Sequence, residues 1–259
     1  MSLLSTGLTL FAVATLAGTI NAVAGGGAFL TFPALMLAGL SGIAANATSN
    51  AAVWLGTAAS AAGYRNELYQ TRAVNRRLVI SSSLGSLVGA VLVLITPEAA
   101  FLRAVPFLLL AATVLFIGGP SLSRHRRLQP DDVVLPAWVM PVQFMLGIYG
   151  GYFGAGVGIA TLAVLGQIGF TRIHQMNGIK TLLTSCMNGV ACIPFALAGA
   201  IVWQWAIVMC CGAVIGGYVG ARVARQASPK LIRGIVVVVA VGMTVYFFWK
   251  TYGAAGPGA

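Results

Sequence analysis

The residues most able to bind a ligand in this chain are two glycine runs, each set in apolar sequence. Gly25, Gly26 and Gly27 form the first run, and Gly154 and Gly156 belong to the second. A glycine inside a helix costs about 1 kcal/mol relative to alanine, so each run predicts a break between two helices. A helix that starts after such a break presents N–H groups and a positive dipole end, which favour an oxyanion. Both breaks are therefore candidate anion-binding sites.

Polar side chains that interrupt the apolar segments are the second group of candidates. Lys180 lies about one turn inside such a segment. Its ammonium group could bind an anion there, or could extend to the membrane surface. Uncharged polar residues inside a membrane usually face a cavity or the bundle interior, and hydrogen bonds between helices would also explain them. These substrate-binding candidates are Asn21, Thr48, Ser49, Asn50 and Asn188.

Acidic residues are scarce, and their positions disfavour several functions. The four are Glu67, Glu98, Asp131 and Asp132, and all fall in loops or at segment ends. Proton relays in membrane proteins use intramembrane carboxylates or histidines, and hard metal cations prefer carboxylate oxygens. We therefore expect no metal site and no proton relay. Because the apolar segments contain no recognisable catalytic set, we also expect no enzymatic activity, no catalytic residues and no cofactor.

The overall composition is that of a membrane protein. Of 259 residues, 59% are hydrophobic and 7% are charged, whereas a soluble domain has about 25% charged residues. The net charge of +11 comes from basic residues in short clusters between apolar runs. That arrangement is typical of membrane topology rather than of nucleic-acid binding. The expected surroundings are the lipid bilayer, and nucleic acid is not expected as a partner.

The apolar segments form two sets of five, separated by a polar linker. We predict a first transmembrane repeat at 1–118, a linker at 119–132, a second transmembrane repeat at 133–250 and a C-terminal tail at 251–259. The segments lie at about 3–23, 28–40, 43–63, 78–96, 101–118, 133–153, 157–169, 176–200, 203–224 and 231–249. Glycines in the two halves match in the same order and at a nearly constant spacing. The matching pairs are Gly18 with Gly147, Gly25 with Gly154, Gly85 with Gly216, and Gly89 with Gly220.

Basic residues predict opposite membrane orientations for the two halves. In the first half, the loop after the third segment is basic and includes Arg65 and Arg72, whereas the loop at Glu98 is not basic. In the second half the loop near Ile201 is uncharged and the later one contains Arg222. By the positive-inside rule, both termini lie outside and the linker is cytoplasmic. The expected fold is an all-α polytopic protein of two inverted-topology repeats, in a bacterial cytoplasmic (inner) membrane.

The second segment of each half is too short to cross a membrane. Residues 28–40 would rise about 20 Å as a helix, less than the roughly 30 Å hydrocarbon core. We therefore expect a half-helix after each glycine break. Secondary transporters commonly bind substrates at such half-helices, at the interface between inverted repeats.

The sequence around both breaks resembles a known family. Residues 21–33 read Asn-Ala-Val-Ala-Gly-Gly-Gly-Ala-Phe-Leu-Thr-Phe-Pro, and residues 44–50 read Ala-Ala-Asn-Ala-Thr-Ser-Asn. Together with residues 147–158, residues 177–180 and Asn188, they are similar to the signature of the TauE/SafE sulfite exporter family. The resemblance covers nearly the whole chain. It implies a permease for small sulfur-containing anions, such as sulfite or organosulfonates including sulfoacetate.

The resemblance and the residues together give one expected function and leave alternatives. We expect export of a small sulfur anion that is bound at mid-membrane by the half-helix N-termini and Lys180. With no intramembrane carboxylate or histidine, the membrane potential is the expected driving force. A permease for another small organic or inorganic anion, and a membrane assembly subunit without transport, remain as alternatives. The sequence favours no particular oligomeric state.

Overall fold

The apolar segments fold into α-helices in the computed structural model, which describes residues 3–23, 25–122, 135–170, 172–223 and 229–253. Helices satisfy their own backbone hydrogen bonds, as a chain inside a bilayer must. The first half contains α1 (Leu3–Val23), α2 (Ala28–Leu37), α3 (Gly42–Gly63), α4 (Arg65–Tyr69), α5 (Arg72–Ile95) and α6 (Glu98–Leu122). The second half contains α7 (Val139–Tyr152), α8 (Val157–Gln167), α9 (Ile173–Leu197), α10 (Trp203–Val223) and α11 (Pro229–Phe248). A π-helical turn at Trp249–Gly253 follows α11.

The predicted all-α polytopic membrane fold is confirmed. Each of the ten predicted segments corresponds to one helix, and the described residues contain no strand. The short helices α2 and α8 follow the glycine runs directly, as expected for half-helices. Four described helices are long and apolar enough to cross a membrane, and the spans are Leu3–Ala22, Arg72–Ile95, Ile173–Leu197 and Trp203–Gly220.

Helix ends differ from the apolar segments where the sequence becomes polar. Helix α5 begins at Arg72 rather than at residue 78, because arginine is a good helix former although it is not apolar. The short helix α4 was not predicted, since its sequence is polar. Helix α6 continues to Leu122, beyond the predicted start of the linker. The rest of that linker, 123–132, and the tail from 254 lie outside the described residues.

Glycines bring two pairs of helices into close contact. A Cβ added at Gly85 or Gly89 on α5 would collide with the carbonyl oxygen of Phe144 or Ile148 on α7. On α1 and α10, the equivalent contacts join Thr15 to Gly216 and Thr19 to Gly220. Residue numbers rise together along both pairs, so α5 runs parallel to α7 and α1 runs parallel to α10. Small residues of this kind allow membrane helices to pack backbone against backbone.

The contacts of the two halves are reciprocal. Gly18 packs against Ala213, and the equivalent positions of the opposite halves, Gly147 and Ser82, also pack together. At the level of helices, α1 packs on α10 as α7 packs on α5, and α2 packs on α11 as α8 packs on α6.

Contacts between helix ends define two faces of the bundle. At one, here called the Glu98 face, the Glu98 carboxylate accepts hydrogen bonds from the N–H groups of Gly42 and Ile43 at the start of α3. At the other, called the Tyr64 face, Gly178 near the start of α9 packs on Tyr64 at the end of α3. Arginines concentrate near helix ends at the Tyr64 face, namely Arg65, Arg72, Arg76, Arg77, Arg172 and Arg222, whereas Arg103 lies near Glu98 on α6.

Candidate functional site

The first glycine break turns the chain sharply between α1 and α2. Gly25 and Gly26 have φ angles of 76° and 105°, a region that glycine adopts at little cost and other residues avoid. The Asn21 side chain holds the turn, because its Oδ1 accepts a hydrogen bond from the Gly26 N–H at 3.2 Å. The break therefore has a defined geometry.

The second break also has left-handed glycines, but a different hydrogen bond holds it. Gly154 and Gly156 have φ angles of 78° and 77°. The Tyr149 hydroxyl, on the last turns of α7, donates to the carbonyl oxygen of Ala155 at 2.7 Å. A Cβ added at Gly156 would lie 2.8 Å from the Cβ of Ala112 on α6. Position 156 therefore requires glycine for two reasons, the left-handed φ and the close approach of α6.

The two breaks meet at one cavity of about 30 Å³. A buried water needs roughly 10–15 Å³ on the same measure, so the space suits a ligand of a few heavy atoms. The starts of both half-helices contribute their positive dipole ends to its wall. The N–H groups of Phe29 on α2 and Ile159 on α8 already bond to carbonyl oxygens of the breaks. The described lining residues are Asn21, Gly26, Gly27, Ala28, Asn46, Ser49, Asn50, Val53, Phe153, Gly154, Val157, Gly158, Thr184 and Asn188.

Amides and hydroxyls supply the polar part of this wall, and none of the described lining side chains is charged. Where α3 crosses α9, the Asn50 Nδ2 donates to the Oδ1 of Asn188 at 3.4 Å. The Cys192 thiol contacts the Oδ1 of Asn50 at 3.5 Å. On the other side of α3, Ser49 and Thr31 of α2 share a hydrogen bond of 2.6 Å. The cavity can therefore offer several neutral donors to a ligand, and it contains no described carboxylate that would repel an anion.

Lys180 lies beside the cavity rather than in its lining. Its side chain is 1% exposed, and its Nζ donates to the carbonyl oxygens of Asn21 at 3.0 Å and Ala22 at 3.3 Å. Its aliphatic stem passes behind Gly158, where an added Cβ would lie 3.3 Å from the Lys180 Cδ. The ammonium group is therefore buried inside the bundle and does not extend to a surface.

The structure brings seven of the eleven predicted site residues into the cavity wall, namely Asn21, Gly26, Gly27, Ser49, Asn50, Gly154 and Asn188. Gly25 and Gly156 shape the two turns without being part of the lining. Thr48 has a different partner, because its Oγ1 accepts a hydrogen bond from the Val202 N–H at 3.0 Å. It connects α3 to the loop before α10 at the Glu98 face.

Sequence reasoning missed several lining residues, of which Asn46 and Thr184 are the polar ones. Asn46 donates from Nδ2 to the Tyr152 carbonyl oxygen at 3.0 Å, at the end of α7. A signal for Asn46 exists in the sequence, because Asn177 stands at the equivalent position of the second half. Thr184 gives no comparable signal, since its equivalent is the apolar Val53.

An aromatic cluster closes the cavity on one side. Phe153 lines the cavity, and its ring centroid lies 5.3 Å from that of Phe32. The Phe32 ring also contacts Phe101 at 6.4 Å and Phe247 at 5.7 Å. Phe101 is one turn from Glu98 on α6, so the cluster separates the cavity from the Glu98 face.

No described group of three or more histidine, cysteine, aspartate or glutamate side chains could hold a metal ion. The four cysteines are free thiols. The chemistry available at the site is therefore hydrogen bonding from amides, hydroxyls and helix starts, with one buried ammonium group behind the wall.

Comparison with known proteins agrees with the resemblance. The family described as "Sulfite exporter TauE/SafE" matches residues 10–247. A "Probable membrane transporter protein" of Haemophilus influenzae is 34% identical over 240 residues, which cover 91% of each chain. "Probable membrane transporter protein YfcA" of Escherichia coli K12 is 29% identical over 245 residues, which cover 94% of this chain and 90% of the relative. No solved structure matches the chain. With a match that spans most of its length, the chain is a member of the TauE/SafE sulfite exporter family.

Proposed function

We propose that this protein is a membrane permease that exports a small sulfur-containing anion, sulfite or a small organosulfonate, across the cytoplasmic membrane. The observation that carries the proposal is the cavity of about 30 Å³ between the two glycine breaks, with the starts of α2 and α8 in its wall. Family membership and the names of the relatives support transport as the general activity.

The chemistry of the wall matches an oxyanion. Helix starts provide a positive dipole end, and the side-chain amides of Asn50 and Asn188 provide donors. A cation would find no described carboxylate here. The small volume favours sulfite over larger sulfonates, which would require the cavity to widen.

The buried charge of Lys180 contributes to anion binding without direct contact in this conformation. Its ammonium group donates a hydrogen bond to the Asn21 carbonyl oxygen, and the Asn21 side chain lines the cavity. An isolated buried charge is costly, and the negative end of α1 offsets only part of that cost. An anion in the cavity offsets more of it, so the ammonium group and the substrate stabilise each other across one layer of protein.

In the proposed transport path, the two halves form an inverted repeat and exchange conformations around the bound anion. The reciprocal contacts of α1 with α10 and of α5 with α7 support this relation. The concentration of arginines at the Tyr64 face supports a cytoplasmic position for that face. On this orientation, the aromatic cluster around Phe32 stands between the bound anion and the outside.

Flux of labelled sulfite in proteoliposomes tests the proposal, with Asn188→Leu as the site variant. Asn188 lines the cavity, and a hydrogen bond to a charged ligand is worth about 1.5–3 kcal/mol. Flux should therefore fall by about tenfold or more. Asn177→Leu is the matched control, because Asn177 lies on the same helix, is 5% exposed and is outside the lining.

Two results would separate the alternatives. If labelled sulfite does not move but another labelled small anion does, the protein transports that other anion. If purified protein moves no anion at all, the proposal of a permease is wrong and a role in assembly takes its place.

A further inference from the structure

Two buried side chains cross from one half of the protein to the other and end on helix C-termini. The Lys180 Nζ, from α9, donates to the carbonyl oxygens of Asn21 and Ala22 at the end of α1. The Asn46 Nδ2, from α3, donates to the carbonyl oxygen of Tyr152 at the end of α7. The three acceptor carbonyls lie two to four residues before Gly25 or Gly154.

These contacts are equivalent in the two halves. Helix α3 corresponds to α9 as α1 corresponds to α7, and Asn46 matches Asn177 at the same spacing that relates Gly85 to Gly216. Lys180 follows Asn177 by one turn along the same helix face. Each half thus sends a polar side chain from its third helix to the end of the other half's first helix. The two halves make this helix-to-helix contact with donors and acceptors at different positions.

The ends of α1 and α7 need such partners. The Asn21 carbonyl oxygen also accepts the Gly25 N–H at 3.2 Å. The Ala22 and Tyr152 carbonyl oxygens, which are among the last four of their helices, therefore depend most on Lys180 and Asn46, and these two side chains are 1% and 4% exposed. A buried carbonyl oxygen that loses its hydrogen-bond donor raises the free energy of the folded protein. The glycines that follow allow many backbone conformations, so they cannot hold the helix end by themselves.

We propose that Lys180 and Asn46 are positioning residues that hold the two glycine breaks across the repeat interface. Lys180 keeps the end of α1 in place, and the start of α2 consequently faces the cavity. Asn46 does the same for α7 and the start of α8. Each break is thereby held in place by a residue of the opposite half, independently of the other break.

Hydrogen–deuterium exchange tests this directly on the full-length protein in detergent, without substrate. Lys180→Met removes the donors and keeps most of the side-chain volume. It should raise exchange in peptides covering residues 18–29 by about tenfold, and leave residues 148–159 near the wild-type rate. Asn46→Leu should do the reverse. Lys180→Arg, which keeps the donors, should restore protection of residues 18–29.

The control is Asn177→Leu, the same substitution at the position equivalent to Asn46. The Oδ1 of Asn177 has no hydrogen-bond partner among the described residues, so both breaks should keep their protection. If Lys180→Met leaves residues 18–29 unchanged, or if either variant loosens both breaks equally, the positioning role is wrong.

The consequence for transport rests on the proposed function, and it is measured separately. Lys180→Met should reduce sulfite flux by about tenfold or more, and Lys180→Arg should recover most of it. If the exchange results hold but wild-type protein moves no sulfite, the proposed substrate fails and the positioning role stands. If Lys180→Met lowers flux without changing exchange at residues 18–29, Lys180 acts through its charge alone and the positioning role is overturned.

Discussion

Replacing Gly156 by alanine should damage the site more than the same change at another left-handed glycine. Gly156 has a φ of 77°, and an added Cβ would lie 2.8 Å from the Ala112 Cβ. Gly199 has a φ of 67°, and a Cβ added there would meet nothing within 4 Å. The two variants therefore share the backbone strain and differ in the collision.

The expected loss of folding free energy is the sum of the backbone strain and the cost of the collision. Left-handed backbone costs a residue other than glycine about 1–2 kcal/mol, which applies to both variants. Carbon atoms normally approach to about 3.5–4.0 Å, so the start of α8 must move away from α6 by about 1 Å. Overpacking of this kind costs about 1–3 kcal/mol. Gly156→Ala should therefore lose about 2–5 kcal/mol of folding free energy, against about 1–2 kcal/mol for Gly199→Ala.

Two assays read out the difference. The thermal unfolding temperature in detergent should be lower for Gly156→Ala than for Gly199→Ala, and both should be lower than that of the wild type. Sulfite flux should fall by about tenfold or more in Gly156→Ala, because a displacement of about 1 Å misplaces the binding groups. Flux in Gly199→Ala should stay close to wild type. Equal stability of the two variants, or normal flux in Gly156→Ala, would refute the role assigned to the second break.

Two further predictions concern the ends of the bundle. Glu98→Gln should lower the thermal stability by about 1–2 kcal/mol, because the carboxylate accepts from Gly42 and Ile43 at a helix N-terminus; an unchanged unfolding temperature would contradict this. Cysteine at the exposed Ser41 should react with an impermeant thiol reagent from outside the cell, whereas cysteine at the exposed Arg172 should react only after permeabilisation; the opposite pattern would reverse the proposed orientation.

The helices and the two breaks could be predicted from the sequence because both depend on local properties. A long apolar run in a chain with few charges is helical in a membrane, whatever it packs against. Consecutive glycines at Gly25 and Gly26 weaken a helix locally. Polar helix ends were missed for the same reason, since α4 and the start of α5 have no apolar signal.

The partners within the site could not be predicted, because they depend on contacts between distant residues. The Lys180 ammonium group binds carbonyl oxygens 158 and 159 residues away. Lys180 was predicted to bind the anion, which stays a prediction, and no local pattern shows that its nearest groups are backbone carbonyls. Thr48 was also predicted to bind the substrate, and nothing in the sequence indicates that its hydroxyl accepts the Val202 N–H.

The central claim is that a small sulfur anion crosses the membrane through the cavity, driven by the membrane potential. Its most direct test is the flux of labelled sulfite in proteoliposomes at a clamped potential, with and without a pH gradient. The potential contributes about 2.3 kcal/mol per elementary charge at 100 mV, so a monoanion should be concentrated about fortyfold on the positive side. The potential alone should drive this accumulation. Accumulation with a pH gradient alone, and none with the potential alone, would contradict it.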